Sequence, residues 1–355
     1  MSKTKKLILA FSVIPQYLFI KWLSNYPEFI ETHYSNGIYQ FTSRILRYVF
    51  GWIPFSVGDL FYTIAGIYII RWLIINRKRI TKDTRNWVLD ILTTCSLVYF
   101  AFHLFWGMNY YRIPLHETLN LNNTYSTFEL QAVAEKLIVK ANAIHLTITN
   151  NDSVKIEMPF SKRELLKMSE NGYKNLAKTN PNLEHKPTSS KLSLYSLPLT
   201  YMGFSGYLNP FTNEAQIDGL IPLHKYPTTI CHEKAHQIGY AAENETNFIG
   251  CLATINNDNI YFRYSGYIFA LRHCLNELSK RDITLYDSLV EKINKGILKN
   301  YQESYEFWSS YQNPLEPLFK ESYDTFLKAN NQDKGIESYS YAVALFVNYF
   351  KNKQL

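Results

Sequence analysis

Cysteine is scarce in this chain and never paired. Cys95, Cys231, Cys251 and Cys274 form no Cys-x-x-Cys and match no zinc-ribbon spacing, and four thiols in 355 residues make no disulfide scaffold. Buried thiols are expected. Cys231 adjoins His232 but points about 100° away from it on a helix, so it is expected to face the core rather than serve as an auxiliary ligand. There is no internal repeat and no low-complexity tract. A composition 46% hydrophobic and 16% aromatic argues against disorder. The net charge of +7 forms no single basic patch. Much of it sits in two short runs, Lys3 to Lys6 and Arg77 to Arg85, each beside an apolar stretch. That placement speaks for membrane topology and against a nucleic-acid partner.

Three apolar stretches, residues 7–23, 53–75 and 87–107, approach the ~20 residues a bilayer span needs. The first is short and carries Pro15, Gln16 and Lys21. No small-x-small cleavage site follows it, so it reads as a retained anchor and not a signal peptide. Asp59, Arg71 and Asp90 lie near segment ends, where a charge can reach the interface; His103 also lies within the third stretch. The positive-inside rule puts both basic runs in the cytoplasm and residues from about 108 onward outside. The expected organisation is a multi-pass anchor over 1–110, in contact with the lipid bilayer, and an outer domain over 111–355.

The outer domain reads as mainly α. Apolar spacing predicts helices at about 126–144 and 161–178, the latter capped by Ser161 with Glu164 three residues on. Short strands are expected at about 190–195, 203–208 and 214–218, followed by successive helices over 225–352. The run "NPFTNEAQI" is readable either as an edge strand for substrate pairing or as a plain hairpin.

The chemistry is concentrated in "YPTTICHEKAHQIGYAAENETNFIG", residues 226–250. It contains His-Glu-x-x-His. Residues four apart share a helix face, so His232 and His236 can ligate one Zn2+ while Glu233 acts as general base toward a water the metal activates. A third histidine at the spacing of the metzincins would fall on Ala242, which excludes that pattern. Glutamate remains. Glu245, in the first turn of the next helix, is preferred as third ligand, with Glu243 as second choice or as a partner to a ligating histidine. Tyr264 is the first candidate to donate to an oxyanion, with Tyr267, Tyr323 and Tyr339 as others.

The stretches "PFSVGDLFY", "WGMNYYR", "GFSGYLNPFTNEAQI", "CHEKAHQIGYAAENETNFI", "YFRYSGY" and "YDTFLKANNQDKGIESYS" resemble a bacterial membrane-protein family known as domain of unknown function 3810. The resemblance covers nearly the whole chain. It implies an N-terminal membrane region and a zincin-like α+β metallopeptidase domain of gluzincin type with a small sheet. The family's Glu-Ala-Asn run appears here as Glu245, Thr246, Asn247, with the ligand retained. The expected function is a zinc metallopeptidase of the bacterial inner membrane, its domain extracytoplasmic, hydrolysing a peptide or protein substrate. The alternative is a non-catalytic, zinc-stabilised module that binds an envelope partner.

Overall fold

A computed structural model describes residues 2–332 and 338–355. The chain is mainly helical, with one small three-stranded sheet. Among the described residues, three helices are long and apolar enough to cross a membrane: Lys3–Leu23, Val57–Ile75 and Thr84–Phe105. They begin and end within a few residues of the stretches read from hydropathy. The first and third pack through small polar groups, as helices do where lipid is no less apolar than a leucine. Ser12 Oγ meets Ser96 Oγ at 2.9 Å, and Gln16 donates to Ser96 Oγ at 3.1 Å. Their basic ends are tied by Asp90, which pairs with Lys6 and, at 3.0 Å, with Arg79.

The second apolar helix is fixed at its other end by the sheet. Glu214 accepts from the Gly58 N–H at 2.5 Å and from the Val57 N–H at 3.2 Å, a carboxylate on the positive end of a helix. Asp59 accepts from Ser193 Oγ at 2.9 Å, from the Leu194 N–H at 2.6 Å and from the Tyr207 hydroxyl.

The sheet holds β1 (Ser190–Leu192), β2 (Gly206–Asn209) and β3 (Glu214–Ile217) in the order β1-β3-β2. β1 runs parallel to β3 and β2 antiparallel to it. All three strands lie within the ranges expected except for the last residue of β2. The hairpin reading of "NPFTNEAQI" is the one that holds, because its strand β3 is central and fully buried, so it cannot serve as an edge. The edge beside the site is β2.

Helix Thr127–Thr149 buries Leu130, Val133, Ala134, Leu137, Ile138 and Ala141 along one face. Helix Lys162–Leu176 starts with the expected capping box of Ser161 and Glu164. Both pack into a core with Cys231, Ala235, Phe248, Ile249 and Leu252, around the helix that carries His-Glu-x-x-His. Cys231 is buried there, as expected, and Cys251 and Cys274 with it; Cys95 departs from the expectation and is exposed, because it lies on the outer face of the third apolar helix.

Helix Tyr39–Gly51, which lies between the first two apolar helices, packs against the end of the motif helix Tyr226–Gln237. The last carbonyls of any helix lack intrahelical donors. Here Tyr39 Oη donates to Gln237 O at 3.1 Å, Arg47 Nη1 to the same oxygen at 2.6 Å, and Gln40 Nε2 to Ile238 O at 3.0 Å. Arg112, just past the third apolar helix, donates to Gly239 O at 2.8 Å.

Candidate metal centre

The motif helix has Pro227 in its first turn, where the missing N–H costs nothing. It ends at Gln237, and two residues on the chain turns at Gly239, whose φ of +95° a residue with a Cβ rarely adopts. The next helix, Glu243–Ile255, therefore doubles back alongside it. This turn presents Glu243 to both histidines. Glu243 Oε2 lies 3.3 Å from His232 Nε2, and Oε1 lies 3.7 Å from His236 Nε2. One ligand atom from each of the three residues falls within 4.8 Å of the others.

Glu245 is not the third member. It is two residues further along, about 200° around the helix from Glu243. There Oε1 accepts from the Leu115 N–H at 2.6 Å, beside Arg112. The preference between the two acids is thus reversed: Glu243 joins the histidines and Glu245 braces the chain after the third apolar helix. Tyr264 is also misplaced as a site residue, since it is fully buried and its hydroxyl donates to Asn300 Oδ1 at 2.8 Å. Tyr267 sits in the main core. Tyr323 is the tyrosine at the centre, donating to Glu243 Oε1 at 2.6 Å. The side chain of Tyr339 lies outside the described residues.

The donor set suits a divalent ion on three counts. Each histidine Nε2 faces one carboxylate oxygen of Glu243, at 3.3 and 3.7 Å, and one donor atom from each of the three residues lies within 4.8 Å of the others, a cluster small enough to close on one ion. His236 Nδ1 is 2.8 Å from Tyr240 O, a contact that fixes the proton on Nδ1 and leaves the Nε2 lone pair facing Glu243. Glu233 Oε2 and Glu243 Oε2 are buried with no hydrogen-bond partner, the condition a cation relieves.

Burial shapes the electrostatics of these side chains. It pushes the Glu233 carboxyl up to about 8, against the pull of His232 and with the push of Glu243. It lowers His236 to about 4, despite Glu243 beside it. Burial would also depress His232, but Glu243 outweighs it and raises that imidazole. Glu243 is held down at about 2 because its neighbours, His232 first, overcome burial. Glu245, buried away from the histidines, rises to about 7 although Leu115 and Arg112 oppose the shift.

Glu233 faces the edge strand. A Cβ at Gly206 would come within 2.7 Å of Glu233 Oε1 and 2.6 Å of Gln216 O, so only glycine lets β2 pass this close. His232, Glu233, His236, Glu243, Asn247 and Tyr323 all line one cavity of about 1460 Å³. Gly206 and Asn247 lie in stretches that carry the family resemblance, but neither is a site candidate until the strand and the second helix are placed.

Fold and site together define a mainly helical, membrane-associated protein with a small sheet and a buried His/His/Glu cluster. Residues 34–347 match the family model described as "Protein of unknown function (DUF3810)", and the chain belongs to that family. No curated protein and no solved structure matches it.

Proposed function

We propose that the chain is a zincin-like, zinc-dependent hydrolase that cleaves peptide bonds, anchored in the membrane with its domain on the extracytoplasmic side. The observation that carries this reading is the convergence of His232, His236 and Glu243, with Glu233 beside them, at the wall of a large cavity. Those three residues would hold the ion. A bound Zn2+ supplies Lewis-acid polarisation of a carbonyl and lowers the pKa of a ligated water.

The remaining steps belong to the protein. Among the described residues β2 is paired on one side only, and its free edge is one onto which an extended peptide can add as a strand. Glu233 takes a proton from the attacking water and passes it to the departing nitrogen, so that amide and water become carboxylic acid and amine. Burial, which raises the affinity of Glu233 for a proton, suits both halves of that transfer. Tyr323 holds Glu243 in place by its hydrogen bond.

The test is metal analysis and substrate profiling of the purified full chain. Wild type should carry about one zinc. Glu233→Gln should keep the zinc and lose hydrolysis by roughly 10²-fold or more. Equal activity in the two proteins would end this mechanism. A metal-loaded wild type that hydrolyses nothing would leave a zinc-stabilised binding module.

A further inference from the structure

The cavity that reaches Glu233 does not stop at the domain. It continues between the second and third apolar helices, where Tyr62 and Ile69 face Thr94, Cys95, Val98 and Phe102 across it. We propose that this cleft seats the acyl chain of a lipid-acylated peptide, drawn sideways from the bilayer, whose peptide portion lies along β2. The inference deepens the hydrolase reading and rests on it for the fate of the bound peptide.

Three features commit the cleft to an acyl chain. It is built into the fold: Glu214 and Asp59 pin the domain end of helix Val57–Ile75 to the sheet. At the basic end the helices meet, with Trp72 and Trp87 stacked at 6.0 Å between ring centroids. The cleft is therefore closed at one end and open toward the site.

Its depth is within that of one leaflet. The lining runs from Tyr62 to Ile69 on the second apolar helix, seven helical steps or about 10 Å, and from Thr94 to Phe102 on the third, eight steps or about 12 Å. Half of a bilayer's hydrocarbon core is about 15 Å. A transmembrane segment needs the full ~30 Å, which the Trp72–Trp87 stack denies it. A chain anchored in a single leaflet fits.

Its walls belong to lipid-facing chemistry. Ile69 and Val98 are about half exposed, at 53% and 51%, on helices apolar enough to cross a membrane. No protein covers this part of the cleft among the described residues, and the hydroxyl of Thr94, deep in it, is turned to its own helix, donating to Asp90 O at 3.0 Å.

The experiment uses the full chain with Glu233→Gln in phosphatidylcholine vesicles, so that binding is read without turnover. The probe is a random heptapeptide pool bearing an N-terminal palmitoyl chain with a diazirine. Its photoproducts should map to residues 62–69 and 94–102. They should exceed at least tenfold those from phosphatidylcholine carrying the same diazirine chain. Val98→Trp should cut labelling about tenfold while zinc content and circular dichroism stay unchanged. Alkylation of Cys95, the exposed cysteine, should slow when the acylated pool is bound.

Equal labelling by the phospholipid would make the cleft a lipid-filled gap and overturn the proposal, as would labelling indifferent to Val98→Trp. Equal cleavage of acylated and plain peptides by wild type would also overturn it and leave the hydrolase reading intact. Cleft labelling by the acylated pool with no cleavage by wild type supports acyl binding and removes the hydrolase.

Discussion

Glu243 and Glu245 stand two residues apart and meet opposite surroundings. One faces two imidazoles and a tyrosine hydroxyl; the other faces a backbone N–H and an arginine. Glu243→Gln is expected to lower zinc affinity far more than Glu245→Gln, and Tyr323→Phe to lower it by roughly 10–100-fold, the usual cost of a lost partner to a ligand. Titration with a competing chelator measures all three. The two histidines and Glu233 were legible because their spacing maps directly onto one helix turn. The acid was not, because choosing it needs the residue at which the second helix begins, and that is set by the left-handed turn at Gly239. The tyrosine was legible only as one candidate among several: Tyr323 stands beside Tyr264, Tyr267 and Tyr339 in sequence, nothing local ranks it first, and it reaches Glu243 from 80 residues away. His185 offers a pH test. Burial, then Lys234 and Arg47, hold its imidazole well below the usual value, and it contacts Gln237 Oε1 at 2.8 Å. The folded state therefore binds fewer protons than the unfolded one, so stability is lost as pH falls below about 6.5. The melting temperature should drop from pH 7 to pH 5, and drop less in His185→Gln.

The apolar helices were readable element by element, since hydropathy is a local property. The strands were readable to within about three residues from their turn residues and alternation. What escaped was partnership. Helix Tyr39–Gly51 gives no sign in sequence that it supplies hydrogen bonds to carbonyls almost 200 residues on. Arg47 is 1% exposed and serves three oxygens. Arg47→Met should destabilise the protein by about 2–4 kcal/mol, because buried acceptors are left unpaired; chemical denaturation in detergent reads this. Gly206→Ala tests the strand–helix contact. A methyl group has no room between Gln216 O and Glu233, so β2 must shift. Zinc should remain, while hydrolysis falls, since the ligands are untouched and Glu233 is displaced.

Across the whole molecule, the two basic runs sit at one end of the apolar helices and the His/His/Glu cluster lies toward the other. If the positive-inside rule holds, reporter fusions after residue 80 should be active only in the cytoplasm and fusions after residue 355 only outside it. Removal of the ion should lower the melting temperature, by the linkage that makes any native-state ligand stabilising. The sequence divides naturally near residue 110, where hydropathy falls. The packing does not divide there. Tyr39, Gln40 and Arg47 come from before that point and close the open carbonyls of the helix bearing His232 and His236. A fragment trimmed to start at 111, the obvious design for a detergent-free preparation, would shed all three, together with Glu31, which grips Arg112. Such a fragment would expose bare oxygens where the ligands must be steadied, and should be recovered aggregated or unable to retain metal. The part of the chain that looks like mere tethering is scaffold for the site.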